Sequence, residues 1–72
     1  MSKLPHDLKP KKVLKALQQA GFEIDHVTGS HYILKKGELR TSVPFHQSVK
    51  TGTLRAILNQ CGLSVEEFID LL

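Results

Sequence analysis

The chain has 72 residues, one cysteine and a net charge of +3 at neutral pH. This length predicts one small domain with a thin core, in which a surface site is easier to build than a deep pocket. A lone cysteine excludes an internal disulfide and a cysteine-based metal cluster. No apolar run approaches the ~20 residues of a membrane span and no signal-peptide pattern begins at Met1, so we expect a cytoplasmic protein that does not enter membranes.

Positive charge is concentrated in the body of the chain. Residues 1–55 hold all ten lysines and arginines and four acids, whereas residues 56–72 hold three acids and no base. A basic body attracts polyanions such as nucleic acid. A slightly basic domain of another function would have the same composition, so charge alone leaves both interpretations open.

The first predicted element is a helix that begins at Pro10, after an irregular segment at residues 1–9. Proline suits the first helical position because its missing N–H would have no partner there. Gly21 is typical of a left-handed cap that ends the helix. Apolar residues recur at helical spacing and define the buried face: Val13, Leu14, Leu17 and Ala20.

Three strands are predicted next, at residues 22–27, 31–35 and 38–44. Thr28-Gly29-Ser30 is typical of a turn, and Lys36-Gly37 can form a two-residue hairpin loop. This loop would pair Leu34 with Leu39 and His31 with Ser42. Alternation then gives a core face with Tyr32, Leu34, Leu39, Thr41 and Val43, and an exposed face with His31, Ile33, Lys35, Glu38, Arg40 and Ser42.

Two further helices follow a loop at residues 45–50. An apolar stripe predicts the second helix, which Thr51 would cap and Gly62 would end. Ser64 and Glu67 match a capping box and predict a short final helix. The stripe consists of Leu54, Ile57, Leu58 and Cys61, and Leu63 with Phe68 forms a hydrophobic staple.

The order α-β-β-β-α-α predicts an α+β fold in which helices cover one face of a three-stranded antiparallel sheet. The apolar faces of the helices and of the hairpin together define the predicted core. Its members are Val13, Leu14, Leu17, Phe22, Ile24, Tyr32, Leu34, Leu39, Val43, Leu54, Ile57, Leu58 and Phe68.

His31 is the strongest candidate for chemistry because it starts a strand directly after the Gly29-Ser30 turn. An imidazole at such a position is exposed and can gain or lose a proton near neutral pH. The glycine lets the backbone of a substrate approach closely. A histidine that only hydrogen-bonds at a strand end is the alternative interpretation.

Four basic side chains are candidate phosphate contacts. Lys35 and Arg40 share the exposed face with His31, and Lys50 and Arg55 flank the start of the second helix, where free N–H groups add positive potential. An ordinary helix start explains the second pair equally well. His46, in the loop after the third strand, could transfer a proton, contact a phosphate or simply hydrogen-bond within the loop.

No metal site or cofactor is predicted. The spacing of His6, His26, His31 and His46 matches no compact ligand pattern, and His6 and His26 are interpreted as surface residues without supporting neighbours. The chain has no glycine-rich phosphate loop and no nucleophile elbow. Cys61 lies on the apolar stripe of a helix, which favours a core role over a nucleophilic one.

Several short motifs together resemble the HicA toxins of bacterial HicAB toxin–antitoxin systems. They are a Leu-x-x-Ala-Gly-Phe helix end at residues 17–22, Gly29-Ser30-His31, Val43-Pro44-x-His46, and a segment from Gly52 to Leu58 that continues into Gly62-Leu63. They span nearly the whole chain. The resemblance implies one HicA-like domain over residues 1–72, with a double-stranded-RNA-binding-domain-like fold and a short extra C-terminal helix.

The resemblance also implies a function. HicA toxins of type II systems are metal-independent mRNA interferases whose catalytic histidine lies in the Gly-Ser-His motif, here His31, and a HicB antitoxin blocks that surface. We therefore expect mRNA and a HicB-like protein as partners, and no small-molecule cofactor. The expected RNA contacts are Gly29, Ser30, Lys35, Arg40, His46, Lys50 and Arg55. A non-catalytic RNA-binding module of the same fold, using the same basic surface, is the alternative.

Overall fold

A computed structural model of the chain describes residues 4–45 and 47–72. The predicted α+β order is confirmed, and the described strands form one antiparallel sheet in the order β1-β2-β3. Helices α1 and α2 pack on β3, and α3 packs on both helices, as in a double-stranded-RNA-binding-domain-like fold. None of the described helices has the length and apolar character needed to cross a membrane. The elements are α1 (Pro10–Gln19), β1 (Glu23–Thr28), β2 (His31–Lys36), β3 (Leu39–Pro44), α2 (Thr51–Cys61) and α3 (Val65–Leu71).

Helix α1 ends at the glycine that the sequence predicts. Gly21 has φ +102°, and its N–H donates to the carbonyl of Gln18 at 3.0 Å. The N–H of Phe22 donates to the carbonyl of Leu17 at 3.0 Å. These two bonds are made to carbonyls of the last helical turn and end the helix there. They also direct Phe22, which is buried, into the core beside Leu17.

Of the three helix ends predicted for α2 and α3, two are confirmed. The prediction that Thr51 caps α2 is wrong: the capping position is Lys50, and among the described residues no side chain caps this end. Gly62 ends α2 with φ +69°. The Ser64–Glu67 capping box before α3 is confirmed in both directions, with bonds of 3.1 and 2.9 Å.

The predicted hairpin register is wrong by two residues. Lys36 pairs with Leu39, so the loop is Gly37-Glu38, and His31 lies opposite Pro44 instead of Ser42. Gly37 has φ +60°, as the first position of a type II′ turn requires. A shift of two residues keeps every side chain on its face, so the two predicted faces stand although their cross-strand partners change.

The core differs from the prediction mainly at β1. Ile24 and Leu39 were expected inside but are 40% and 41% exposed, while Leu14 and Tyr32 are only partly buried. All six residues of β1 are exposed because the helices lie over β3, at the other edge of the sheet. The buried hydrophobic residues are Leu4, Val13, Ala16, Leu17, Phe22, Leu34, Val43, Val49, Leu54, Ile57, Leu58, Cys61 and Phe68.

The described part of the N-terminal arm is fixed against the loop before α2. Leu8 and Val49 form an isolated antiparallel bridge with backbone bonds of 3.2 and 2.8 Å. Leu4, ahead of this bridge, is buried. The arm contains no helix or strand in the described residues, as predicted, yet it adds the apolar side chain of Leu4 to the protein interior, and the loop that it contacts adds Val49.

Candidate functional site on the exposed face of the sheet

His31 lies at the first position of β2, between Thr28 of β1 and Pro44 of β3. Gly29 and Ser30 form the two-residue turn ahead of it, and Gly29 has φ +57°. Among the described residues, no atom outside the immediate chain neighbours lies within 4 Å of a Cβ placed on Gly29. The glycine is therefore required by its backbone conformation, and no described residue fills the space beside the turn.

The turn before His31 is held in place from the opposite edge of the sheet. The N–H of Phe45, just after β3, donates to the carbonyl of Ser30 at 2.7 Å. The ring of Phe45 packs on Tyr32, with the two centroids 4.1 Å apart. These contacts fix the end of the sheet at which His31 is exposed.

A β-bulge in β1 brings an acid and a histidine onto the same face. Ile24 pairs with Leu34 and His26 with Ile33, so Asp25 is an extra residue opposite β2. Adjacent residues of a regular strand point to opposite faces, whereas a bulge re-aims them. The Nδ1 atom of His26 lies 2.8 Å from Oδ2 of Asp25.

Asp25 also contacts the two basic residues that the sequence places on this face. Its Oδ1 atom lies 3.2 Å from Nζ of Lys35, and its Oδ2 atom lies 3.8 Å from Nη1 of Arg40. Lys35 and Arg40 are direct cross-strand partners. The hydrogen bond from His26, followed by that from Lys35, lowers the pKa of Asp25 below its usual value. The carboxylate therefore stays ionised and offsets part of the positive charge of the face.

The predicted phosphate contacts fall into two groups. Lys35 and Arg40 lie on the exposed sheet face with His31, while Lys50 and Arg55 belong to the start of α2 in the helical layer. Nζ of Lys50 donates to Oδ1 of Asp7 at 2.7 Å, and this bond lowers the pKa of Asp7. Lys50 thus already has an anionic partner. His46 lies outside the described residues.

Asp25 is the member of the site that sequence reasoning missed, and the interpretation of His26 needs correction. His26 is exposed, as predicted, but it has a carboxylate neighbour. Strict alternation over residues 22–27 would place the two side chains on opposite faces, which hides the contact. The adjacency of an acid and a histidine on one predicted strand was the one signal that pointed to it.

The comparison with protein families gives a match over most of the chain. The sequence model described as the HicA toxin of bacterial toxin–antitoxin systems matches residues 10–63, which run from the start of α1 to just past α2. No curated protein matches the chain significantly. The match includes the whole exposed sheet face and leaves the N-terminal arm and α3 outside it.

Proposed function

Because this chain belongs to the HicA toxin family and is the toxin of a bacterial toxin–antitoxin system, we propose that it is an endoribonuclease that cleaves mRNA without a metal ion. The observation that carries the proposal is the placement of His31. It starts β2 on an exposed sheet face, directly after an open turn at Gly29. A titratable imidazole at an accessible strand end can transfer a proton to or from a bound substrate.

The chemistry needs only the RNA and proton transfer. The 2′-oxygen of a ribose attacks the adjacent phosphorus, an O–P bond forms, and the bond from phosphorus to the 5′-oxygen breaks. His31 donates or accepts a proton in this displacement. The products are a 2′,3′-cyclic phosphate and a 5′-hydroxyl, and cleavage should continue in EDTA.

The surface around His31 suits an RNA backbone. The open turn at Gly29 and Ser30 admits a phosphate close to the chain, and Lys35 and Arg40 lie on the same face. Further contacts with the RNA, beyond the exposed sheet face, are proposed for Lys50, Arg55 and His46. Single-stranded RNA bound in this way is held mainly through its phosphates.

RNA affinity should fall with salt, and Arg40→Gln should make that dependence shallower. Each phosphate contact contributes a slope of about −0.7 to a plot of log affinity against log salt for single strands. Lys9→Gln, an exposed change on the N-terminal arm, is the matched control and should keep the wild-type slope. Fluorescence anisotropy with a short unstructured RNA, in a His31→Ala background, measures both. An affinity independent of salt would contradict phosphate binding.

A non-catalytic RNA-binding module is the second candidate, because the fold is that of a double-stranded-RNA-binding-like domain. One experiment separates the two. The purified chain is incubated with end-labelled RNA in EDTA and analysed on denaturing and native gels. Shortened RNA on the denaturing gel supports the ribonuclease. Retarded but intact RNA supports the binding module.

The antitoxin is the other partner of a toxin of this family, and we propose a HicB-like protein that covers the His31 face. The face carries the cations Lys35 and Arg40 around the half-buried Ile33, so an acidic partner with an apolar anchor fits it. We place this encounter in the cytoplasm, where mRNA is available.

Antitoxin binding should slow hydrogen exchange at residues 29–35 and stop RNA cleavage. The measurement is exchange mass spectrometry of the toxin, alone and with the co-expressed product of a neighbouring reading frame. The amides of α3, on the opposite side of the sheet, provide the internal control. A stable complex that still cleaves RNA at the free rate would contradict occlusion of His31.

A further inference from the structure

We propose that His26 is a second catalytic histidine, positioned by Asp25, which accepts the proton of the attacking 2′-hydroxyl while His31 protonates the leaving 5′-oxygen. This inference rests on the proposed ribonuclease function and extends it. Phosphodiester cleavage by internal attack has two proton transfers, one at the nucleophile and one at the leaving group. A single histidine must leave one of them to water, whereas two can serve both.

The sheet register places the two histidines as diagonal neighbours on the exposed face. His26 pairs with Ile33, two residues beyond His31 on β2, and His31 pairs with Thr28, two residues beyond His26 on β1. Diagonal neighbours of this kind are separated by about 7–8 Å. That gap admits one phosphodiester with a hydrogen bond at each end.

Asp25 gives His26 the orientation that a general base needs. The Nδ1 atom of His26 faces Oδ2 of Asp25 at 2.8 Å, so the ring hydrogen bonds to the carboxylate through Nδ1 and its Nε2 atom is left for the substrate. The side chain of His26 is 55% exposed, while that of Asp25 is 24% exposed. A base oriented by a third, anionic group is the recurrent arrangement for activating a hydroxyl.

Lys35 and Arg40 complete the arrangement from the neighbouring strands. Both cations lie near the Asp25 carboxylate, at 3.2 and 3.8 Å. The hydrogen bond from His26, followed by that from Lys35, lowers the pKa of Asp25 and keeps the carboxylate ionised. The two cations also fix the position of the carboxylate across three strands. The β-bulge that adds Asp25 to β1 therefore links His26, the proposed general base, to the cations Lys35 and Arg40 through the Asp25 carboxylate.

The step balances without any further reagent. Nε2 of His26 takes the proton of the 2′-hydroxyl as its oxygen bonds to phosphorus. The electron pair of the breaking bond goes to the 5′-oxygen, which takes a proton from His31. One proton thus moves from RNA to His26 and one from His31 to the product, and exchange with water restores both rings.

The first test compares His26→Gln with Val27→Thr in single-turnover cleavage of a short unstructured RNA in EDTA. His26→Gln should slow cleavage by about 10²–10⁴-fold. Val27 pairs with Tyr32 on the opposite face of β1 and is 50% exposed, so Val27→Thr should keep the wild-type rate. Circular dichroism confirms that both variants are folded. A wild-type rate for His26→Gln would overturn the proposal.

The second test assigns the two roles with a modified RNA in which sulfur replaces the bridging 5′-oxygen. A thiolate leaves without being protonated, so the sulfur compensates for a missing general acid but not for a missing base. His31→Ala should regain most of its lost rate on this substrate, whereas His26→Gln should not. Recovery of His26→Gln instead would overturn its assignment as the base.

The third test separates positioning by Asp25 from a structural role. Asp25→Asn should lower kcat, because a neutral amide holds the Nδ1 side of the His26 ring less firmly than the carboxylate does. It should also lower KM, because Lys35 and Arg40 lose their anionic partner and bind phosphate more strongly. A loss of sheet structure would instead raise KM and lower kcat together, and that result would contradict positioning.

Failure of this inference can be distinguished from failure of the proposed function. If wild-type protein leaves RNA intact under these conditions, the ribonuclease function itself is wrong. If wild type cleaves, His31→Ala does not, and His26→Gln cleaves normally, the function stands and the second histidine is rejected.

Discussion

His31→Ala should lower RNA cleavage by about 10²–10⁴-fold, the contribution of a positioned proton-transfer group. The residue is exposed at the start of β2, so the substitution removes an imidazole without opening a cavity in the core. Single-turnover cleavage of labelled RNA measures the loss. Inhibition of cell growth on induction should disappear with it.

His6→Ala is the matched control for this experiment. His6 is exposed on the N-terminal arm, where its Nδ1 atom lies 3.1 Å from Oγ1 of Thr51, and it has no proposed part in the reaction. Its loss should leave the cleavage rate unchanged. A folded His31→Ala protein with full activity would mean that the chemistry is done elsewhere.

Phe68→Ala should lower the free energy of unfolding by about 3–5 kcal/mol. Phe68 is fully buried under α1 and α2, although it belongs to α3, outside the residues that match the family. For a chain of this length, total stability is on the order of 4–11 kcal/mol. The substitution therefore removes a large share of it. Urea denaturation followed by circular dichroism measures the change.

Leu72→Ala is the corresponding control on the same part of the chain. Leu72 is 52% exposed, and surface substitutions of this kind usually change stability by less than about 0.5 kcal/mol. Equal stabilities of Phe68→Ala and Leu72→Ala would show that α3 is not part of the cooperative core.

The elements that the sequence predicts best are those with local causes. Gly21 and Gly62 adopt the positive-φ conformation that ends α1 and α2. Ser64 and Glu67 form the capping box at the start of α3. Each of these features is decided by a few neighbouring residues. The apolar stripe of α2 is equally local, and its four predicted residues are the buried residues of that helix. In α1 the buried residues are Val13, Ala16 and Leu17, so the stripe predicts the buried face but not each of its members.

The sequence pattern alone does not determine the register of the hairpin formed by β2 and β3. Gly37 can serve as the second residue of a loop that begins at Lys36 or as the first residue of one that ends at Glu38. Both choices bury the same face, so hydrophobic patterning cannot distinguish them. The structure takes the second, with positive φ at the first loop position.

The features missed in β1 are long-range in origin. Whether Ile24 is buried depends on which edge of the sheet the helices cover, and they lie over β3. The bulge at Asp25 depends on pairing with β2, because the extra residue exists only relative to the partner strand. The contact of Asp25 with His26 follows from that pairing. The sequence could therefore predict the part of the candidate site at His31 but not the contact between Asp25 and His26.

The reactivity of the Cys61 thiol can be used to measure how often the folded chain opens. The side chain is 3% exposed, and burial raises the pKa of the thiol to about 11. Since the thiolate is the species that reacts with alkylating reagents, the folded protein should resist them at neutral pH. Alkylation then proceeds only through molecules that have opened, and anything that binds the folded chain, RNA or antitoxin, should slow it. In a protein without tryptophan, this single thiol provides a stability assay that needs no engineered label.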